Sequence, residues 1–149
     1  MNNITINEVE LHYRQPQCKE SVFIRSSKDA YNVLRNVFDN NQIGIREEFV
    51  ALYLDRSNKV IGSYTGFKGG ITGVVVDPRI VFSIALKCLA VSIVIAHNHP
   101  SGNLTPSHED REVTTKIKEG GRFLDIHLLD HLILNPEGEY FSFSDDGLI

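Results

Sequence analysis

Residues 90–100 read AVSIVIAHNHP, a run of small and β-branched apolar residues that ends in two histidines and a proline. This composition favours a β-strand buried on both faces over a helix. Successive side chains of a strand point to opposite faces, so His97 and His99 should share a face. Because Pro100 favours an extended backbone at His99, the alternation continues to the end of the run. The stretch therefore predicts a buried strand that brings two imidazoles to one side of a sheet.

The elements around this strand alternate between β and α patterns without repeats or a linker. Strands are predicted at 2–13 (one or two), 47–55, 59–65, 71–76, 126–134 and 139–143. Helices are predicted at 27–38, 78–90 and 106–121, and a glycine-rich bend is predicted at 67–70. This order predicts an α/β fold in which helices pack on a mixed β-sheet.

A second polar group follows the strand after a short turn. Ser101, Gly102 and Asn103 supply turn chemistry, and Pro106 suits the first position of a helix that would carry Asp110 in its first turn. Asp110 could then fold back over the two histidines as a third metal ligand. Two imidazoles and one carboxylate leave the fourth position of a zinc ion open, as catalytic zinc sites require. A serine beside such a metal, Ser107, could stabilise the charge that develops on an attacked carbonyl.

Simpler interpretations of the same residues remain open. Ser107-x-x-Asp110 also matches a helix capping box, which explains both residues without a metal. A His-x-His pair at a strand end can be polar surface. The adjacent His-Asn-His triplet does not indicate a nuclease, because nucleases named for those letters spread the three residues along a hairpin and a helix.

The combined spacing His97-x-His99-x7-Ser107-x2-Asp110 resembles the zinc signature of the JAB/MPN metalloprotease family, the JAMM motif. The longer string HNHPSG at 97–102, with the residues up to Asp110, resembles the bacterial RadC branch of that family. The similarity extends over residues 26–149. We therefore expect a RadC-like JAB/MPN domain at 26–149 and an N-terminal strand extension, 1–25, packed on it.

The resemblance implies an α/β sandwich similar to cytidine deaminases, with Zn²⁺ held by His97, His99 and Asp110. It also implies that Ser107 assists the oxyanion and that an upstream glutamate acts as general base. In the RadC branch this glutamate lies two positions before a phenylalanine, which favours Glu47 over its neighbour Glu48. The implied activity is that of a zinc-dependent metallopeptidase or isopeptidase acting on a peptide or protein substrate.

An alternative from another class is a non-catalytic RadC-like interaction module linked to DNA repair or mobile-element processing. Residues 1–25 show no pattern of the helix-hairpin-helix region that RadC proteins commonly carry. The chain has 15 basic and 19 acidic residues, a formal net charge of −4, which argues against direct nucleic-acid binding.

The sequence indicates a cytoplasmic protein without membrane association. No apolar run approaches 18 residues, and no signal-peptide pattern follows Met1. Cys18 and Cys88 lie far apart and outside any Cys-x-x-Cys pair, so nothing requires an oxidising compartment. We expect Cys88 to be a buried free thiol.

Two further histidines, His127 and His131, fall four residues apart in a predicted strand and should share one face. Hydrogen-bonded core or surface histidines are the favoured interpretation. In the alternative, Asp130 and His131 orient the metal ligands.

Overall fold

The computed structural model describes residues 20–71 and 73–149, and within them a five-stranded mixed sheet lies between helices. The helices are α1 (Ser27–Val37), α2 (Pro78–Lys87) and α3 (His108–Leu124). The strands are β1 (Glu48–Leu54), β2 (Val60–Lys68), β3 (Ser92–Asn98), β4 (His127–Leu134) and β5 (Tyr140–Ser142). The sheet order is β2-β1-β3-β4-β5, with β3 and β4 parallel and the other neighbours antiparallel.

The predicted α/β fold with a mixed sheet is therefore confirmed. The strands predicted at 2–13 lie outside the described residues, as does Cys18, and the division of the chain at residue 26 stays a prediction. Cys88 is a buried free thiol, as expected.

Strand β3 is the centre of the molecule, and all seven of its residues are buried, as its composition predicts. Ile93 and Ile95 face α2 and α3, in one apolar cluster with alternate residues of β1. Val94 and Ala96 face α1, in a second cluster with the other residues of β1. The same alternation continues past Ala96, so His97 falls on the side of α3 and Asn98 on the side of α1.

Helix α3 runs to Leu124 and does not stop near residue 121, as the glycine pair predicted. The glycines are needed where the helix packs closely. A Cβ on Gly120 would lie 2.8 Å from the ring of Phe82, and one on Gly121 would lie 2.2 Å from the carbonyl oxygen of Ile126. Asp125 ends the helix in the left-handed conformation, with φ of 53°. No helix in the described parts of the chain is long and apolar enough to cross a membrane.

The segment before α2 also differs from expectation. The predicted strand at 71–76 is wrong for its described residues, 71 and 73–76, which have no regular structure. The Gly70 N–H donates to the Gly73 carbonyl at 3.0 Å, a local contact in place of strand pairing. Strand β2 continues through the first half of the predicted bend, to Lys68, where Phe67 is buried edge-on against Phe49 with ring centroids 5.8 Å apart.

The prediction that His127 and His131 share a face is wrong. The pairing of β3 with β4 skips Leu129, so the alternation of faces along β4 is interrupted there. As a result, His127 and His131 lie on opposite faces of the sheet. His127 is exposed at the start of β4, whereas His131 is fully buried. The shift turns the ring of His131 toward His97.

Candidate metal centre

Three sequence-predicted residues converge at the end of β3 that faces α3. The Nε2 atoms of His97 and His99 lie 3.0 Å apart. The carboxylate of Asp110 lies 2.9 Å from His97 Nε2 through Oδ1 and 3.4 Å from His99 Nε2 through Oδ2. Atoms bound tetrahedrally to one zinc ion at about 2.0–2.1 Å are about 3.3 Å apart, so the donor set and spacing fit such an ion. The three residues form a cluster that can hold a metal ion.

The capping box at the start of α3 positions the carboxylate of this cluster. The Ser107 N–H donates to Asp110 Oδ2 at 2.7 Å, and the Asp110 N–H donates to Ser107 Oγ at 3.1 Å. The box leaves Oδ1 free to face His97. The two interpretations of Ser107-x-x-Asp110 are therefore compatible, because capping fixes the orientation that a ligand needs. Burial raises the pKa of Asp110, but hydrogen bonds with His97 and His99 outweigh it and hold this pKa well below its usual range.

A backbone carbonyl orients the second histidine. Nδ1 of His99 lies 2.6 Å from the carbonyl oxygen of Asn103. A carbonyl only accepts, so Nδ1 carries a hydrogen, and Nε2 is the ring nitrogen that faces the cluster and is left to bind a metal. Burial lowers the pKa of His99, but its hydrogen bonds with Asp110 and Asn103 more than offset this and raise it above the ordinary value.

A third histidine, His131, hydrogen-bonds to His97 on the side away from the cluster. Its Nε2 lies 2.8 Å from Nδ1 of His97, and its Nδ1 lies 2.6 Å from the hydroxyl of Thr114. Phe143 stacks on the His131 ring at 4.6 Å and 13°. Burial, with the nearby His97, lowers the pKa of His131 well below the ordinary value, so the ring is neutral. Sequence reasoning missed Thr114, although its position one helical turn after Asp110 places both on one face of α3.

Glu47 precedes β1 and faces the same cleft as the cluster. The cleft has a volume of about 560 Å³ and is lined by Glu47, His97, His99, Ser107 and Asp110, among others. Burial raises the pKa of Glu47, and the two histidines partly oppose this. The cleft thus brings all five sequence-predicted site residues together.

Glu48 occupies a different environment from its neighbour. It is 5% exposed and lies 3.5 Å from Arg46 and 3.8 Å from Lys68 in ion pairs. It does not line the cleft, so the structure separates the two adjacent glutamates as strand parity requires.

Asn98, the middle residue of the His-Asn-His triplet, holds the backbone on both sides of Glu47. Its side-chain Oδ1 accepts from the Glu48 N–H at 2.7 Å. Its Nδ2 donates to the carbonyls of Ile43 at 2.7 Å and Arg46 at 2.9 Å. Sequence reasoning missed this residue, although parity already placed it opposite the two histidines.

Ser107 lies at the exposed rim of the cleft. Its Oγ accepts the Asp110 N–H, which leaves the hydroxyl hydrogen free to donate into the cleft. The next residue, His108, is exposed and lies 3.4 Å from Glu112, outside the cluster. Only the serine of this pair is placed to contact a bound substrate.

Comparison with protein families places this site in a known context. A family model described as a RadC-like JAB domain matches residues 24–148. The chain belongs to the RadC-like JAB family. The resemblance seen in its motifs is confirmed, and a mixed five-stranded sheet with three helices is consistent with the JAB/MPN fold.

Curated relatives of this RadC-like JAB chain are UPF0758 proteins. The one from Flavobacterium johnsoniae is 45% identical over 125 residues, covering 84% of this chain and 53% of the relative. The one from Aquifex aeolicus is 39% identical over 141 residues, covering 95% and 59%. The one from Methanosarcina mazei is 38% identical over 126 residues, covering 85% and 53%. The chain thus spans a little over half the length of these relatives.

Proposed function

We propose that this RadC-like JAB domain is a zinc-dependent hydrolase that cleaves an amide or isopeptide bond in a peptide or protein substrate. The observation that carries the proposal is the convergence of His97, His99 and Asp110, with N···N and N···O distances of 2.9–3.4 Å, in a cleft that also holds Glu47 and Ser107. Two imidazoles and one carboxylate suit zinc and leave a coordination position open.

The roles of the other two residues follow from their chemistry. A bound zinc ion would supply a Lewis acid that makes water a usable nucleophile near neutral pH. The Glu47 carboxylate accepts a proton from the attacking water and delivers it to the amine as the C–N bond breaks. The Ser107 hydroxyl donates a hydrogen bond to the carbonyl oxygen as that oxygen gains negative charge.

The lining of the cleft supports a peptide chain as the substrate. Phe49, Val74 and Val76 supply an apolar wall, and Glu109, Glu112 and Lys116 supply a polar one. Binding clefts commonly combine apolar walls with a few polar groups that fix orientation. A peptide presents both apolar and polar groups to such walls. A cytoplasmic location and independence of membranes and nucleic acids belong to the same proposal.

The test is hydrolysis by zinc-loaded protein on a panel of isopeptide-linked and linear peptides, followed by a comparison of matched variants. Glu47→Gln keeps the size of the side chain and removes the proton acceptor, so turnover should fall roughly 100- to 10,000-fold with zinc retained. The control is Glu119→Gln, which changes an exposed carboxylate of α3 outside this cleft and should keep near wild-type activity.

Two outcomes would contradict the proposal. Full activity in Glu47→Gln would show that Glu47 is not the general base. Failure of the zinc-loaded wild-type protein on the whole panel would favour the non-catalytic interaction module.

A further inference from the structure

We propose that Thr114 and His131 set the tautomer of His97, so that His97 presents its Nε2 lone pair to a metal ion. This inference rests on the proposed metal site and names two positioning residues for it. Neither residue would contact the ion. They would act through a chain of hydrogen bonds from α3 across the buried side of β4 to β3.

The chain begins at a hydroxyl group with one hydrogen and two close neighbours. Thr114 Oγ1 lies 2.6 Å from the carbonyl oxygen of Asp110 and 2.6 Å from Nδ1 of His131. A carbonyl oxygen can only accept, so the hydroxyl hydrogen goes to Asp110. The Thr114 oxygen must then accept, and the hydrogen between it and His131 belongs to Nδ1 of the ring.

The second step extends this direction of hydrogen-bond donation to the metal ligand His97. His131 is fully buried, so it carries one ring hydrogen and remains neutral. With that hydrogen on Nδ1, its Nε2 is an acceptor and lies 2.8 Å from Nδ1 of His97. His97 must therefore donate from Nδ1, so Nε2 is the ring nitrogen left to bind a metal ion or, without one, to donate to Asp110. That atom is the one 2.9 Å from Asp110 Oδ1 and 3.0 Å from His99 Nε2.

Packing keeps the His131 ring in the orientation that the chain requires. Phe143 stacks on one face of it, and Phe49 approaches with its ring centroid 6.2 Å away at 65°. The Phe143 N–H donates to the His131 carbonyl at 3.0 Å, and the His131 N–H donates to Asp130 Oδ1 at 2.7 Å. The ring nitrogens therefore remain aligned with Thr114 on one side and His97 on the other.

The two histidine ligands reach the same tautomer by different means. His99 donates from Nδ1 to a backbone carbonyl, which accepts a hydrogen bond whatever side chain the residue carries. His97 donates to the His131 side chain, whose role as an acceptor depends on Thr114. Since α3 carries both Asp110 and Thr114, one helix supplies a candidate ligand and the group that polarises another ligand. Substitution of Thr114 should therefore change the tautomer of His97 and leave the tautomer of His99 unchanged.

The first test is the tautomer of His97 and His131 in the metal-free protein, read from ¹⁵N chemical shifts of the imidazole nitrogens. Both rings should carry hydrogen on Nδ1 in the wild-type protein. Thr114→Val keeps the β-branched shape and removes the hydroxyl acceptor, so His131 should shift toward Nε2–H and His97 should lose its hydrogen on Nδ1. Thr114→Ser keeps the hydroxyl and should preserve the wild-type spectrum.

The second test is zinc affinity, measured by competition with a chelator. Loss of a hydrogen-bonding group behind a ligand typically weakens metal binding about 10- to 100-fold, and we expect this for Thr114→Val and His131→Leu. Thr114→Ser and His127→Gln, which changes the exposed histidine of β4, should bind zinc as the wild type does. If His131→Leu does not fold, Thr114→Val alone decides the result.

The two tests separate this inference from the metal site on which it rests. A wild-type protein that binds no zinc would contradict the metal site, while the tautomer spectrum would still decide the inference. A zinc-binding wild type whose His97 carries no hydrogen on Nδ1 in its metal-free form would overturn the inference. Unchanged zinc affinity and unchanged tautomers in Thr114→Val would overturn it as well.

Discussion

Replacement of Asn98 by alanine should destabilise the protein and displace Glu47. The Asn98 side chain is fully buried and makes three hydrogen bonds of 2.7–2.9 Å to the segment 43–48. The substitution leaves one backbone N–H and two carbonyls without these partners. At about 1 kcal/mol for each bond, the free energy of unfolding should fall by about 3 kcal/mol. For a chain of this size the melting temperature should fall by roughly 6–12 °C.

Urea unfolding followed by far-UV circular dichroism measures this loss, since the chain contains no tryptophan for fluorescence. The matched control is Asn36→Ala on α1, where an exposed side chain donates to the Asn32 carbonyl. The control should change the free energy of unfolding by no more than about 0.5 kcal/mol. A loss below about 1 kcal/mol for Asn98→Ala, at an unchanged urea dependence, would refute the inference that Asn98 anchors this segment.

The same variant has a functional consequence. Glu47 lies between two of the backbone groups that Asn98 holds, at Arg46 and Glu48. Displacement of a catalytic group by about 1 Å can cost on the order of 100-fold in rate, so kcat for hydrolysis should fall while zinc is retained. Steady-state kinetics with metal analysis of the same sample would detect this, and loss of zinc would indicate a wider collapse of the site.

Three further predictions address the metal, the cap of α3 and its packing. Zinc at about 100 times its Kd should raise the free energy of unfolding of the wild type by about 2.7 kcal/mol. The same zinc concentration should leave the free energy of unfolding of His99→Ala unchanged. Urea unfolding curves with and without zinc measure both values. Ser107→Ala should lose about 1 kcal/mol of stability with its cap and slow hydrolysis while zinc remains. Zinc loss would show that the cap is required to hold Asp110 as a ligand. Gly121→Ala should cost about 1–3 kcal/mol, because its Cβ would meet the Ile126 carbonyl at 2.2 Å. Gly70→Ala, with nothing within 4 Å of its Cβ, is the control, and equal losses in urea unfolding would contradict the packing argument.

The parts of the fold that follow local rules could be predicted from the sequence. The apolar run before His97 specifies a strand buried on both faces, and its alternation brings His97 and His99 to one side. The spacing of Ser107 and Asp110 specifies the first turn of α3, where capping aims the carboxylate at the histidines. Short-range geometry is therefore enough to nominate the metal ligands.

The parts that depend on tertiary contacts could not be predicted. The glycine pair inside α3 resembles a helix stop, and only the close approach of Phe82 and Ile126 shows that glycine stands there for packing. The register shift at Leu129 leaves no signal in the apolar pattern of β4, yet it decides that His131 and not His127 reaches the site. The partners of Asn98 lie about 50 positions earlier in the chain, beyond any local motif.

The zinc content of the purified protein, measured by elemental analysis after dialysis, shows whether His97, His99 and Asp110 bind zinc. We expect about one zinc ion per chain for the wild type and almost none for His97→Ala. His127→Ala, which removes the exposed histidine at the start of β4, should keep the wild-type content. Equal zinc content in wild type and His97→Ala, or no zinc in a folded wild-type protein supplied with the metal, would rule out this metal site.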